Sequence, residues 1–159
     1  MRPRDIIPRI RELCPVFEGR VVGAKGVAQA LVSDDLPVPQ CIIVLMGITP
    51  SEESVLSAGD GLLSGEEYFA GNSDPDMTVQ LSALIGVANA PGDDRGQGAA
   101  EDLFDAFIQL RNALHGWTPG NNYAPISMDA LTLDGETYNR SRAWAQVDFN
   151  TTAPLSALV

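Results

Sequence analysis

Residues 78–119 restrict the fold more than any other part of this 159-residue chain, and read TVQLSALIGVANAPGDDRGQGAAEDLFDAFIQLRNALHGWTP. Over the first eleven positions Val79, Leu81, Ala83, Ile85 and Val87 fall on one face, and Thr78, Gln80, Ser82 and Gly86 on the other. A period of two predicts a half-buried strand. A polar loop follows over Asn89–Gly98, with three glycines, Pro91, Asp93, Asp94 and Arg95. Beyond it Ala100, Leu103, Phe104, Phe107, Leu110 and Leu114 recur at three- and four-residue steps. This spacing predicts a long helix over Gln97–His115 with a broad apolar stripe. Glu101 and Asp102 fall in its first turn, where the helix dipole favours anions. His115 and Gly116 fall where a cation and a left-handed cap belong, and Trp117 and Pro119 stop the helix.

The flanks extend this unit. Ile6, Ile7, Ile10 and Leu13 predict an N-terminal helix over Arg4–Cys14, with Pro8 awkward inside it and Pro15 ending it. Arg20–Val22 reads as a short strand. Lys25–Val32 reads as a short helix or a continuation of that strand, and Ser33–Pro39 as a loop. Cys41–Met46 is an unbroken apolar run that suits a strand buried on both faces in the middle of a sheet. Ile126–Leu133 and Ala143–Phe149 read as strands, with Asp134-Gly135 as a hairpin turn. In the last strand Ala145, Val147 and Phe149 share a face, opposite Trp144, Gln146 and Asp148. The tail, residues 151–159, has no clear state; its apolar end either packs on a neighbouring subunit or frays.

The expected architecture is a single α+β domain spanning 1–159. Its mixed sheet has about four or five strands, centred on Cys41–Met46 and Thr78–Val87. The long helix packs across one face, joined by the N-terminal helix.

Residues 48–76 stand apart. They carry Glu52, Glu53, Asp60, Glu66, Glu67, Asp74 and Asp76, with four glycines and no clear periodicity. One reading is a partner-binding or pore-facing arm, and the other a solvated loop. Tyr68 and Phe69 leave room for a hairpin with a wide loop.

Charge restricts function. The net charge is -11; six of the ten basic residues lie in the first 25, and none lies between Lys25 and Arg95, a span with eleven acidic residues. A protein that grips nucleic acid by its phosphates needs a basic surface. An acidic wall suits one that nucleic acid slides past, although carboxylates also simply keep a surface soluble. No apolar run approaches the ~20 residues of a membrane span. The first residues, MRPRDIIPRIREL, lack a continuous apolar stretch, so no secretory signal is expected. Cys14 and Cys41 sit among apolar neighbours and read as buried thiols, compatible with a reducing cytoplasm. Asn139-Arg140-Ser141 and Asn150-Thr151-Thr152 read as chance matches to the glycosylation pattern.

No catalytic constellation emerges. The single histidine, His115, reads as a helix-end cap rather than a base, because nothing places a nucleophile beside it. Two distant cysteines and one histidine do not make a zinc site. Asp93-Asp94 and Asp74-Pro75-Asp76 lack calcium-loop spacing. Gly59, Gly61 and Gly65 lack the lysine of a phosphate loop, and Asp60 would repel a phosphate. No cofactor or metal is expected. Trp117 reads as a lock between helix end and sheet. Trp144, on the more polar strand face, is the better candidate for a contact with another protein.

The order of strand, Arg95-Gly96 loop, and helix ending Leu114-His115-Gly116-Trp117-Thr118-Pro119 resembles that of phage tail terminator proteins, whose fold is the lambda-type terminator fold. The flanks RVVGAKGVAQAL…VPQCIIVL and YAPISMDALTLDGETYNRSRAWAQVDF resemble the family's remaining elements, so the likeness covers most of the chain. It implies a structural virion protein rather than an enzyme, assembled in the bacterial host cytoplasm and placed at the head-proximal end of the tail. Such proteins form a ring, usually of six copies, on the last ring of the tail tube. They stop tube polymerisation and offer a surface to the head-side connector, while DNA passes through. The implied partners are further copies of the chain, the tube protein and the connector or neck protein. The acidic segment Glu52–Asp76 is then the candidate lumen- or partner-facing surface. The loop Pro91–Gly98, with Asp93, Asp94 and Arg95, is the candidate subunit or tube contact, and Trp144 joins it. The alternatives are a head-completion, neck or tail tube protein, or a small hydrolase using His115.

Overall fold

The computed structural model describes residues 3–24, 37–51, 74–88, 97–133 and 142–159. Five strands form one sheet: β1 Val21–Ala24, β2 Gln40–Pro50, β3 Asp76–Ala88, β4 Ser127–Leu133 and β5 Arg142–Pro154. Their order is β1-β2-β3-β5-β4. β1 runs parallel to β2, and every other neighbouring pair is antiparallel. Helices α1, Pro3–Leu13, and α2, Gln97–Leu114, cover one face. A 3-10 turn, Pro15–Phe17, and a short helix α3, Leu155–Leu158, complete the described elements. The class is α+β with a mixed sheet, as the sequence predicts.

β3 is the middle strand. It pairs with β5 from Asp76↔Pro154 to Ala88↔Arg142, and with β2 on its other side. Val79, Leu81, Ala83, Ile85 and Val87 face the helices and pack with Ile6, Ile10, Phe17, Leu103, Leu110 and Leu114. The opposite face is less open than the alternation predicts. Leu84 lies there with Ile42, Val44 and Trp144 in a second apolar cluster, and Ser82 is fully buried. Trp144 is the register partner of Gly86. Its ring lies so close to the backbone that a Cβ on Gly86 would stand 2.7 Å from two ring carbons. Glycine here is the socket that lets a large ring cover the second face.

Several expectations change in detail. β2 neighbours the middle strand rather than forming it, and it runs on to Pro50. Its burial on both faces ends at Val44, where pairing with β1 ends. Leu45 and Met46 are exposed, next to a register shift between Leu45 and Gly47. In α2 the buried line is Ala99, Leu103, Ala106, Leu110, Ala113 and Leu114. Alanines one heptad apart let the helix approach the sheet closely, and that rotation turns Phe104 out to 57% exposure. The first turn of α2, from Gln97 to Ala100, holds no acidic residue, and Glu101 and Asp102 follow it. Pro8 sits inside α1 on an exposed side, where water can take the hydrogen bond that its ring denies the helix.

The C-terminal segment has a definite state. β5 continues through Pro154, and α3 is tied back to the β2–β3 end. Ser156 donates to the Asp74 carboxylate from its Oγ (2.6 Å) and its backbone N–H (2.7 Å), and Leu155 N–H donates to the Pro75 carbonyl. The two Ser156 bonds hold the exposed Asp74 carboxyl below its ordinary pKa. β2 and β3 pair antiparallel, and residues 52–73 between them lie outside the described residues. Lys25–Val32, residues 33–36, the loop from Asn89 to Gly96 and the Asp134-Gly135 turn lie outside the described residues.

Cys14 and Cys41 are free and buried. Burial pushes the Cys14 thiol up to about 11 against an opposing pull from Arg9, and it pushes Cys41 higher still, with Cys14 adding. Both thiols hold their protons more tightly folded than unfolded. Their contribution to stability is therefore complete below the ordinary thiol range and is lost as pH rises through the folded values. Unfolding free energy should fall above about pH 8.5, and Cys14→Ala should make that fall shallower; identical alkaline slopes would refute the assignment. Separately, Gly86→Ala should cost about 2 kcal/mol through overpacking, read as a Tm several degrees lower. Paired with Trp144→Leu it should cost less than the sum of the two. An unchanged Tm would mean that the ring does not constrain Gly86.

Candidate assembly surfaces

The segment from Leu114 to Pro119 builds a junction. After the last turn of α2, Gly116 adopts φ 78°, a left-handed conformation that side chains other than glycine's rarely enter. The chain then reverses. Gly116 N–H donates to the Ile126 carbonyl (2.8 Å), and Ile126 N–H to the Trp117 carbonyl (2.9 Å), which fixes the entry to β4. From α1, Arg9 Nε donates to the Ala113 carbonyl at 2.7 Å. Its guanidinium also lies 4.6 Å from the Trp117 ring centroid. A cation at the carbonyl end of a helix satisfies an orphan acceptor and opposes the dipole. One side chain thus joins α1, the end of α2 and the tryptophan. Arg11 donates to the Val21 carbonyl, and Arg20 to the Pro39 carbonyl and to Glu18. Three of the six basic residues in the first 25 are thereby engaged within the chain. Trp117 acts as the expected lock, with α1 as its partner.

The exposed apolar residues mark surfaces that the sequence reading did not anticipate. Beyond Val44, no described strand pairs with the outer edge of β2. That stretch shows Leu45, Met46 and Ile48 at 41, 50 and 45% exposure. Register with Leu81 and Val79 puts Leu45 and Ile48 on the helix-bearing face. The sequence signal is the abrupt Gly47-Ile48-Thr49-Pro50 end of the apolar run, of which Ile48 to Pro50 fall among the aperiodic residues 48–76. On α2, Phe104 and Ile108 are exposed four residues apart.

On the opposite face of the sheet the outer strand ends are polar. Thr49, Thr78, Gln80, Asn150 and Thr152 floor an open groove of about 980 Å³, walled by Asn121–Ala124. Asp76, at its rim, is the only ionisable carboxylate among its lining residues. Further along that face, Gln146 Nε2 donates to Ser82 Oγ (3.1 Å) and Asp148 Oδ1 (2.9 Å), and Ser82 Oγ donates to the same carboxylate oxygen.

The residues singled out from sequence divide as follows. Asp74 and Asp76 are exposed at the start of β3. Glu52, Glu53, Asp60, Glu66 and Glu67 lie outside the described residues, as do Asp93, Asp94 and Arg95. Trp144 is 6% exposed, its surface covered by the second apolar cluster. His115 is exposed, and its Nδ1 accepts a long bond from Met128 N–H at 3.4 Å. Among the described residues no three His, Cys, Asp or Glu side chains are grouped to hold a metal ion. None of the described helices is long and apolar enough to cross a membrane.

A family model described as phage tail terminator protein matches residues 1–157. No curated protein matches the chain.

The matched span includes both partners of the Arg9–Trp117 junction. Arg9→Ala should lower stability by about 2 kcal/mol, from one charge-assisted hydrogen bond and one cation–π contact. It should also change Trp117 fluorescence. Arg9→Lys should recover less than half of the loss, because lysine keeps the charge but not the planar fork. If Arg9→Ala unfolds at the wild-type temperature with unaltered emission, the junction does not hold the helices together.

Proposed function

The chain belongs to the phage tail terminator family, and from that premise we propose that it forms a closed ring, of six copies, that caps the tail tube. The family match along almost the whole chain carries this reading. It makes the protein a structural component of a phage tail. The finer roles proposed are to stop tube polymerisation, to receive the head-side connector and to let DNA pass through the ring.

Physical features support it. A ring needs two different surfaces on each copy, because a head-to-tail contact is heterologous. The outer edge of β2, with Leu45, Met46 and Ile48, has no partner strand among the described residues and supplies apolar side chains on one side of the sheet. We assign this edge to the contact between copies or with the tube. The acidic segment, Glu52, Glu53, Asp60, Glu66, Glu67, Asp74 and Asp76, is proposed to face the lumen or the connector, where negative charge keeps DNA from adhering. The loop holding Asp93, Asp94 and Arg95 is proposed as a second subunit or tube contact. Trp144 would serve such a contact chiefly by shaping the sheet face, since its ring is already covered.

Mass measurement over a concentration series, with negative-stain images of the heaviest species, tests the reading. Closed rings of one size are expected. Extended tubes would instead mark a tube subunit. Ile48→Asp should abolish rings while leaving the Tm within a few degrees, and phage carrying it should show tails of abnormal length. Charge reversal within Glu52–Asp76 that leaves tail length and DNA delivery normal would remove the lumen assignment.

A further inference from the structure

The exposed side of α2 carries a pattern with twofold character. Gln97, Glu101, Phe104, Ile108, Arg111 and His115 are all exposed. They recur at steps of four and three, so they form one line along the helix, opposite the buried Ala99, Ala106 and Ala113. At its centre Phe104 is 57% and Ile108 37% exposed. Acidic residues fill the N-terminal half, Glu101, Asp102 and Asp105, and Arg111 stands in the last turn. Among the described residues neither Glu101 nor Arg111 has an ion-pair partner. About 15 Å of helix separates them, so they cannot neutralise each other within one copy.

The line reads the same in charge complement when reversed. Set against itself antiparallel and centred on Ala106, it opposes Phe104 to Ile108, Glu101 to Arg111 and Gln97 to His115, each pair occurring twice. A parallel arrangement would instead oppose Glu101 to Glu101 and Arg111 to Arg111. We infer that this face of α2 is a docking surface for a second copy of the chain, through an isologous antiparallel helix pair in which Phe104 meets Ile108 and Glu101 meets Arg111. One helix face per copy buries less than the ~1,200 Å² of a stable complex, so the contact is weak between isolated copies. It is strengthened where several copies face each other at once. This contact is separate from the head-to-tail contacts of a ring and does not rest on that reading.

Sedimentation velocity over a concentration series tests it with Glu101→Arg and Arg111→Glu. Wild type should double its base species, whether monomer to dimer or ring to ring pair. Each variant alone opposes like charges twice and should dissociate about tenfold more readily. An equimolar mixture of the two restores both ion pairs and should associate within about threefold of wild type. Phe104→Asp should lose the doubling alone and in mixture. Wild-type doubling by either charge variant alone, or no recovery in the mixture, overturns the proposal, as does a wild type that never doubles. A base species that is not a ring bears on the proposed ring and leaves the doubling test intact.

Discussion

Burial of β3 on both of its faces is the constraint on which the rest of the structure depends. A strand can be covered twice only if something supplies a second apolar layer. Here the helices cover one face, while Trp144, Ile42, Val44 and Leu84 cluster on the other. The close approach of the Trp144 ring to Gly86 makes that second layer possible. Pairing with β5 along all of β3 then fixes the register of both strands. A slip by one residue would turn Val79, Leu81, Ala83, Ile85 and Val87 away from the helices and remove the core. The inner half of the sheet is therefore rigidly specified. The outer half, where cover and pairing partners thin out, is where surface remains for contacts with other chains.

The α+β class, both helices on the sheet and all five strands were legible: the helices, β3 and β5 through periodicity, and β2 through its unbroken apolar run. Details decided by neighbours were not. The alternation of β3 predicts a polar second face, since Ser82 and Gly86 are small or polar; the tryptophan that covers Gly86 lies 58 positions later in the chain. The stripe expected from sequence runs through Phe104 because large apolar residues dominate such patterns. Close packing favoured Ala99, Ala106 and Ala113 instead, since small side chains let the α2 backbone approach the sheet. Six of the ten basic residues lie in the first 25, and three of them, Arg9, Arg11 and Arg20, each donate to a backbone carbonyl distant from them in sequence. Hydrogen bonds of that kind have no local sequence signature.

The candidate site was less legible than the fold, for a related reason. Surfaces used in assembly are defined by what a copy leaves uncovered, and exposure depends on the whole fold. Leu45 and Met46 belong to an apolar run whose first half is deeply buried, so sequence alone gives them the same role, and Ile48 falls beyond it among the aperiodic residues 48–76. The stop of β1 at Ala24 and the register shift after Leu45 separate the two halves. The acidic span between Glu52 and Asp76 was visible from composition, yet charge by itself does not choose between a lumen and a solvated loop.

The motif most specific in sequence proves to be scaffold. Leu114-His115-Gly116-Trp117-Thr118-Pro119 holds the end of α2, the entry to β4 and α1 in one junction through the Gly116 turn and Arg9. A residue pattern can thus be distinctive because its geometry is demanding, without any ligand to bind. In an assembly protein this is the expected division. A rigid junction sets the angle at which α2 lies against the sheet, and that angle aims the outer face of α2. Small changes in the junction would be magnified at the periphery of each copy, where the contacts of the proposed ring would all have to close together. Precision in such an assembly therefore resides in the clamp, and the contacting surfaces need only be complementary.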